Sequence, residues 1–190
     1  MKVKFLVLVF SILGISSTLA QSKGTKFSDN EKFGKYYQIA STGVYAPFPG
    51  EPHISPVQDN FMLTTASYQY AYPEKGTHTN YLYGVDVYTF KNDTLLKSDD
   101  AKVAHIARSM SYFLETMQHG KMLRNENGRF QEAPCVWQKT KISLPELGEI
   151  YINAVIFSHN KTVIRIYTFT PLEKDDNALI EAYFNSVKYQ

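Results

Sequence analysis

Two runs decide the fold: FMLTTASYQYAY (residues 61–72) and THTNYLYGVDVYTF (residues 77–90), separated by PEKG (residues 73–76). Both are long, rich in Tyr, Thr and Val, and bounded by turn residues, the pattern of two antiparallel strands. Pro73 opens the turn and Gly76 closes it. If residue 72 faces residue 77, Tyr68 opposes Tyr81, Ala66 opposes Tyr83 and Thr64 opposes Val85. Side chains alternate across a strand, so Met62, Thr64, Ala66, Tyr68, Tyr70 and Tyr72 share one face with Tyr81, Tyr83, Val85 and Val87. This is one aromatic sheet surface, and it needs a cover.

Two helices are available to cover it. After KNDTLLKS (residues 91–98) the spacing predicts a helix with Ser98 or Asp99 as its cap and Gly120 as its stop. Val103, Ile106, Met110, Phe113, Leu114 and Met117 recur at three-to-four spacing on one stripe, with His105, Ser109, Tyr112 and His119 off it. A second amphipathic helix follows from DDNALIEAYFNSV (residues 175–187), whose apolar set is Leu179, Ile180, Tyr183, Phe184 and Val187. Between the helices the text is strand again. KMLRNENGRFQE (residues 121–132) reads as a short hairpin around Asn127-Gly128, followed by CVWQKTKIS, EIYINAVIFS and TVIRIYTFT, the last two joined closely by SHNKT. Strands, helix, strands, helix with short links predicts an α+β fold: a mainly antiparallel β-sheet packed by two amphipathic helices.

Toward the N-terminus, YYQIAS and GVYAPFP are short strand-like pieces, and PGEPHISP (residues 49–56) carries prolines that exclude regular structure. Residues 21–35 are polar, and read as a loose arm with at most a short turn. Residues 1–20 read as a secretory signal peptide: Lys2 and Lys4, an apolar run from Phe5 to Ile15, then Thr18 and Ala20 before a cut at Gln21. That run is too short to cross a ~30 Å hydrocarbon core as a helix, and no cysteine follows the cut to carry a lipid. The expectation is an exported protein, periplasmic or extracellular, soluble after cleavage, with residues 36–190 as one α+β domain.

Charge and cysteine usage narrow the function classes. Of 20 basic residues, removing Lys2 and Lys4 leaves 18 against 18 acidic ones, so the cleaved chain has no net charge to attract a polyanion. Nucleic acid is not an expected partner. The one cysteine, Cys135, cannot pair within the chain and reads as a buried thiol, with an intermolecular disulfide as the alternative. On a strand, Cys135 and Trp137 lie side by side.

FPGEP (Phe48 to Pro52), the long hairpin, the central helix, RIYTFT (Arg165 to Thr170) and AYFNSVKY (Ala182 to Tyr189) together resemble small exported bacterial proteins of the PsbP-like fold. Those proteins show a Phe-Pro-Gly-x-Pro stretch near the mature N-terminus and a Phe-x-Ser-Phe or similar ending, here Phe184, Ser186 and Val187. QEAPCVWQ departs from the Gly-Pro-Gly-type turn that often precedes the third strand group. The resemblance implies an antiparallel sheet with helices, no established enzymatic activity, and an accessory or assembly role.

His53, His78, His105, His119 and His159 show no metal-site spacing, so no metal and no cofactor is expected. There is no nucleophile elbow, phosphate loop or dinucleotide fingerprint. Asp99-Asp100 and Asp175-Asp176 stand where helices begin, where capping and the helix dipole account for them. Fourteen tyrosines remain. Tyr68, Tyr81 and Tyr83 read as core; Tyr70 and Tyr72, nearest the turn, read as the binding candidates, partly exposed on a rim. The function expected is a non-catalytic binding or accessory module of the cell envelope acting through protein–protein contact. The alternative is a small-ligand or glycan-binding protein, or a hydrolase with a site assembled across the sheet; a deep pocket combining Tyr rings with His105 or Glu115 would favour this alternative.

Overall fold

The computed structural model describes residues 27–59, 62–72, 78–91, 96–145 and 147–190. In chain order the elements are β1 (Lys35–Ile39), β2 (Val44–Phe48), β3 (His53–Asp59), β4 (Leu63–Ala71), β5 (Leu82–Phe90), α1 (Asp99–Tyr112), β6 (Lys121–Phe130), β7 (Ala133–Leu144), β8 (Gly148–His159), β9 (Thr162–Pro171), α2 (Ala178–Ser186) and β10 (Lys188–Tyr189). Seven strands form one antiparallel sheet in the order β3-β4-β5-β9-β8-β7-β6, and β1-β2-β10 form a second, smaller one. The mainly antiparallel α+β architecture with two helices is the one the strand and helix order predicts.

The decisive hairpin forms with its expected faces and a different register. Tyr68 opposes Val85, Ala66 opposes Val87 and Tyr70 opposes Tyr83, while the Tyr72 amide donates to the Tyr81 carbonyl at 3.0 Å. The predicted pairs, Tyr68–Tyr81, Ala66–Tyr83 and Thr64–Val85, are therefore displaced by four positions. An even displacement leaves every side chain on its predicted face. Asn80, just ahead of β5, is fully buried and its amide is engaged by side chains rather than by the facing strand. Asn80 Nδ2 donates to the Tyr83 hydroxyl (3.0 Å), and Asn80 Oδ1 accepts from the Thr170 hydroxyl (2.8 Å). The PEKG turn itself lies outside the described residues.

Two further expectations are corrected. The proline-rich stretch at 49–56 does not exclude regular structure: β3 is an edge strand, and Pro56 sits in the register break between Ser55 and Gln58, where a missing N–H does no harm. Nor is there a hairpin at Asn127-Gly128. β6 runs straight through it, and the chain turns at Gln131-Glu132, whose φ values of 46° and 69° make a two-residue turn of the primed type. Gly128 serves another purpose, since a Cβ there would lie 2.9 Å from Cδ1 of the Trp137 ring. The β8–β9 link is a similarly tight turn at Asn160-Lys161.

Helix α1 begins as predicted, with Ser98 Oγ accepting from the Ala101 amide at 3.1 Å and Asp99 and Asp100 in the first turn. It closes through one π-helical turn, Phe113–Met117, after which the Gly120 amide donates to the Leu114 carbonyl. Val103, Ile106 and Ala107 are buried against Val136, Ile156 and Val163 of the large sheet. The opposite face of that sheet is covered by α2 and the small sheet: Tyr183, Phe184, Ile39, Val44 and Phe48 pack on Tyr68, Tyr83, Val85, Ile164 and Ile166. With both faces covered, every residue of β9 is buried, and each of its isoleucines stabilises the fold by about 2 kcal/mol through lost apolar exposure. Residues 27–35, the described part of the N-terminal arm, hold a turn bridged between Asn30 and Gly34, and Phe33 is buried edge-on to Tyr83 and Tyr183.

Candidate functional site

A groove of about 600 Å³ lies between α2 and the β6–β7 end of the sheet. Its floor is apolar and built around Trp137. The indole is wedged between Phe130 (centroids 5.9 Å apart, 83° between planes) and Phe184 (6.0 Å, 36°), and it lies flat against β6 because Gly128 has no side chain. Ile180 and Ala178 of α2 complete the floor.

The two walls differ in charge. On the strand side, the Arg124 guanidinium stands 5.7 Å over the Trp137 ring and pairs with Glu126 at 2.9 Å. Lys139 reaches from β7 to Asp175, stands 3.9 Å from Asp176, and lies 4.7 Å over the Tyr151 ring. On the helix side, Asp176 and Glu181 are exposed. Asp175 and Asp176 thus precede α2 rather than cap it: Asn177 is the cap, accepting from the Leu179 amide at 3.1 Å, and Asp175 is held by Lys139. The reading of Asp175-Asp176 as a capping pair is corrected accordingly.

The tyrosine candidates fall on the other flank of α2. Tyr70 and Tyr72 are half-buried and meet edge to face at 5.2 Å; Tyr72 also stacks on His78 at 3.4 Å and 15°. Burial pushes the Tyr72 hydroxyl up to about 12, with Tyr83 and Tyr70 adding to the effect. Tyr68, Tyr81 and Tyr83 are buried, as their positions on the hairpin predict. His105 lies against Phe90 and Glu115 is exposed; neither lines the groove.

One polar cluster escaped the sequence reading. On the α1 face, Asp86 accepts from Ser67 Oγ (2.5 Å) and Tyr167 OH (3.4 Å) at Oδ1, and from Arg165 Nη1 (3.0 Å) and Tyr88 OH (3.3 Å) at Oδ2. Asp86 and Arg165 are 3% and 0% exposed. Burial alone would lower the Arg165 pKa, but Asp86, Tyr88 and Tyr167 together outweigh it and the net shift is upward; burial and Asp86 hold the Tyr88 and Tyr167 hydroxyls well above their ordinary range. Both carboxylate oxygens accept from neighbouring side chains, so the cluster holds three neighbouring strands together. Its signal was an Arg and an Asp in otherwise apolar strands, Asp86 and Arg165, which only the β5–β9 register makes opposite.

Cys135 is buried beside Trp137's face of the core, and burial pushes its thiol up, away from reactivity. Among the described residues no group of three or more His, Cys, Asp or Glu side chains could hold a metal ion, and no helix is long and apolar enough to cross a membrane.

A seven-stranded antiparallel sheet faced by a long helix on one side, and by a terminal helix with a small sheet on the other, defines a PsbP-like α+β sandwich. The chain matches the solution structure of cyanobacterial PsbP from Synechocystis with a TM-score of 0.55 over 82% of this chain and 92% of that one, at 10% identity. A protein of unknown function from Pseudomonas aeruginosa matches at a TM-score of 0.40 and 9% identity, over 66% of this chain and 86% of that one. No family model and no curated protein matches the sequence.

Proposed function

We propose that this protein is an exported, non-catalytic binding or accessory module of the cell envelope that acts through protein–protein contact. The observation that carries the reading is the groove beside Trp137, lined by the apolar side chains of Trp137, Ile180 and Phe184 and by charged side chains of both signs. Such a surface recognises a partner by shape and charge together. Export is supported by the Lys2, Lys4, Phe5–Ile15 and Thr18-x-Ala20 pattern. The Tyr70–Tyr72 rim on the other flank of α2 offers a second contact surface of half-buried aromatic rings.

The test is retention of envelope proteins on the immobilised chain. A partner retained by the wild type and lost by Glu181→Lys, or by Tyr70→Ala with Tyr72→Ala, places the contact on the groove or on the rim. Retention of nothing specific by the folded wild type would sink the protein-contact reading.

A further inference from the structure

We propose that the groove between α2 and β6–β7 takes an extended segment of a protein partner, seated by one bulky apolar side chain over Trp137, Ile180 and Phe184, with a basic side chain toward Glu181 and Asp176 and an acidic one toward Arg124. This rests on the protein-contact reading above and deepens it by naming what the partner offers.

Three observations select that occupant. First, the walls carry opposite signs, Arg124 and Lys139 on the strands against Asp176 and Glu181 on the helix side. A ligand of one sign is repelled by one wall, whereas a segment with both signs is complementary to the whole groove. Second, Lys139 of β7 pairs with Asp175 just ahead of α2, so at that point the strand side and the helix side come within one side-chain pair of each other. A helix, about 10–12 Å across with its side chains, would have to displace this pair, whereas an extended backbone is slimmer. Third, about 600 Å³ lies within the range of sites that enclose a ligand of drug size, the bulk of a few residues.

The charges also remain available. The Arg124–Glu126 pair is about half exposed on both sides, and exposed pairs contribute little, so Arg124 can exchange Glu126 for a partner carboxylate. Asp176 is 94% exposed and only 3.9 Å from an ammonium already engaged by Asp175.

Trp137 is the only tryptophan of the chain and it lines the groove, so its emission reports occupation directly. The experiment is to pan a random hexapeptide library displayed on phage against the purified protein, then titrate synthetic copies of the enriched peptides while following Trp137 emission. The expected peptides carry one bulky apolar residue with an acidic and a basic neighbour. They shift the emission saturably and bind the Glu181→Lys variant at least tenfold more weakly. Replacing the peptide's basic residue by Glu restores binding to that variant, a rescue that misfolding does not produce. Enrichment of uncharged or single-sign peptides, binding indifferent to Glu181→Lys, or no enrichment overturns the proposal. If panning fails while an envelope partner is still retained and lost on Tyr70→Ala with Tyr72→Ala, the groove inference falls and the protein-contact reading stands; if neither occurs, both fall.

Discussion

The two faces of the large sheet use charge in opposite ways. Beneath α1, Asp86 and Arg165 face each other across β5 and β9, are almost wholly removed from water, and both carboxylate oxygens accept hydrogen bonds, from Ser67 and Tyr167 on one and from Arg165 and Tyr88 on the other. Beside α2, Arg124 and Glu126 meet at a similar distance, yet each is about half exposed. The contrast teaches that distance between opposite charges says little about purpose. A buried pair whose carboxylate is held by several donors belongs to the fold, because removing either charge would leave the other desolvated without its partner. An open pair contributes little to the fold and is free to be exchanged.

The strongest way to break this comparison is to remove one member of the sealed pair. Asp86→Asn leaves the Arg165 guanidinium buried without its counter-charge, and urea denaturation should show a loss of about 3–5 kcal/mol. Asp86→Leu combined with Arg165→Met should lose less than the single change does. A negligible loss for Asp86→Asn would mean the cluster is not the structural element described. Next in size is Trp137→Ala, which removes the floor of the groove; because the ring is half-buried, a loss of about 2 kcal/mol is expected, below the 3–5 kcal/mol of a fully buried ring. Arg124→Gln should change stability by only about 0–1 kcal/mol while altering peptide-induced Trp137 emission, and a larger stability loss would show that the open pair is structural after all.

The finest test concerns the rim. Tyr72 titrates in the folded state at about 12 against an ordinary value of 10.0. The folded form therefore holds this proton where the unfolded form has lost it, so Tyr72 contributes stability below pH 10 that is lost as the pH rises toward 12. Absorbance difference titration of the wild type against Tyr72→Phe should place that hydroxyl's midpoint near the upper value; a midpoint near 10 would mean the ring is not packed as described.

Much of the architecture was legible because the period of two in FMLTTASYQYAY and YLYGVDVYTF fixes faces regardless of register. Register was less legible, since the alternation of side chains is the same for any even displacement, and contacts such as Asn80 with Thr170, ninety positions away, leave no local signal. Pro56 hid β3 because the tolerance of an edge strand for proline is a property of the sheet. Asn127-Gly128 misled for a different reason: its glycine answers to the Trp137 ring, while the true turn at Gln131-Glu132 contains no glycine at all. The groove was illegible because Arg124, Trp137 and Glu181 come from three separate elements. Tyr70 and Tyr72, by contrast, could be placed at the rim from their nearness to the turn alone.

The pairing of Lys188 with Tyr45 and Tyr189 with Val44, together with the Tyr36 hydroxyl donating to the Ser186 carbonyl at 3.0 Å, bears on how the chain acquires its shape. These contacts close a loop of some 140 residues, and such contacts form late because their entropy must be met before they reward the chain. The small sheet stays two-stranded until residues 188 and 189 are free to dock. The cover over Tyr68 and Tyr83 is thus completed by the pairing of two elements that lie far apart along the chain.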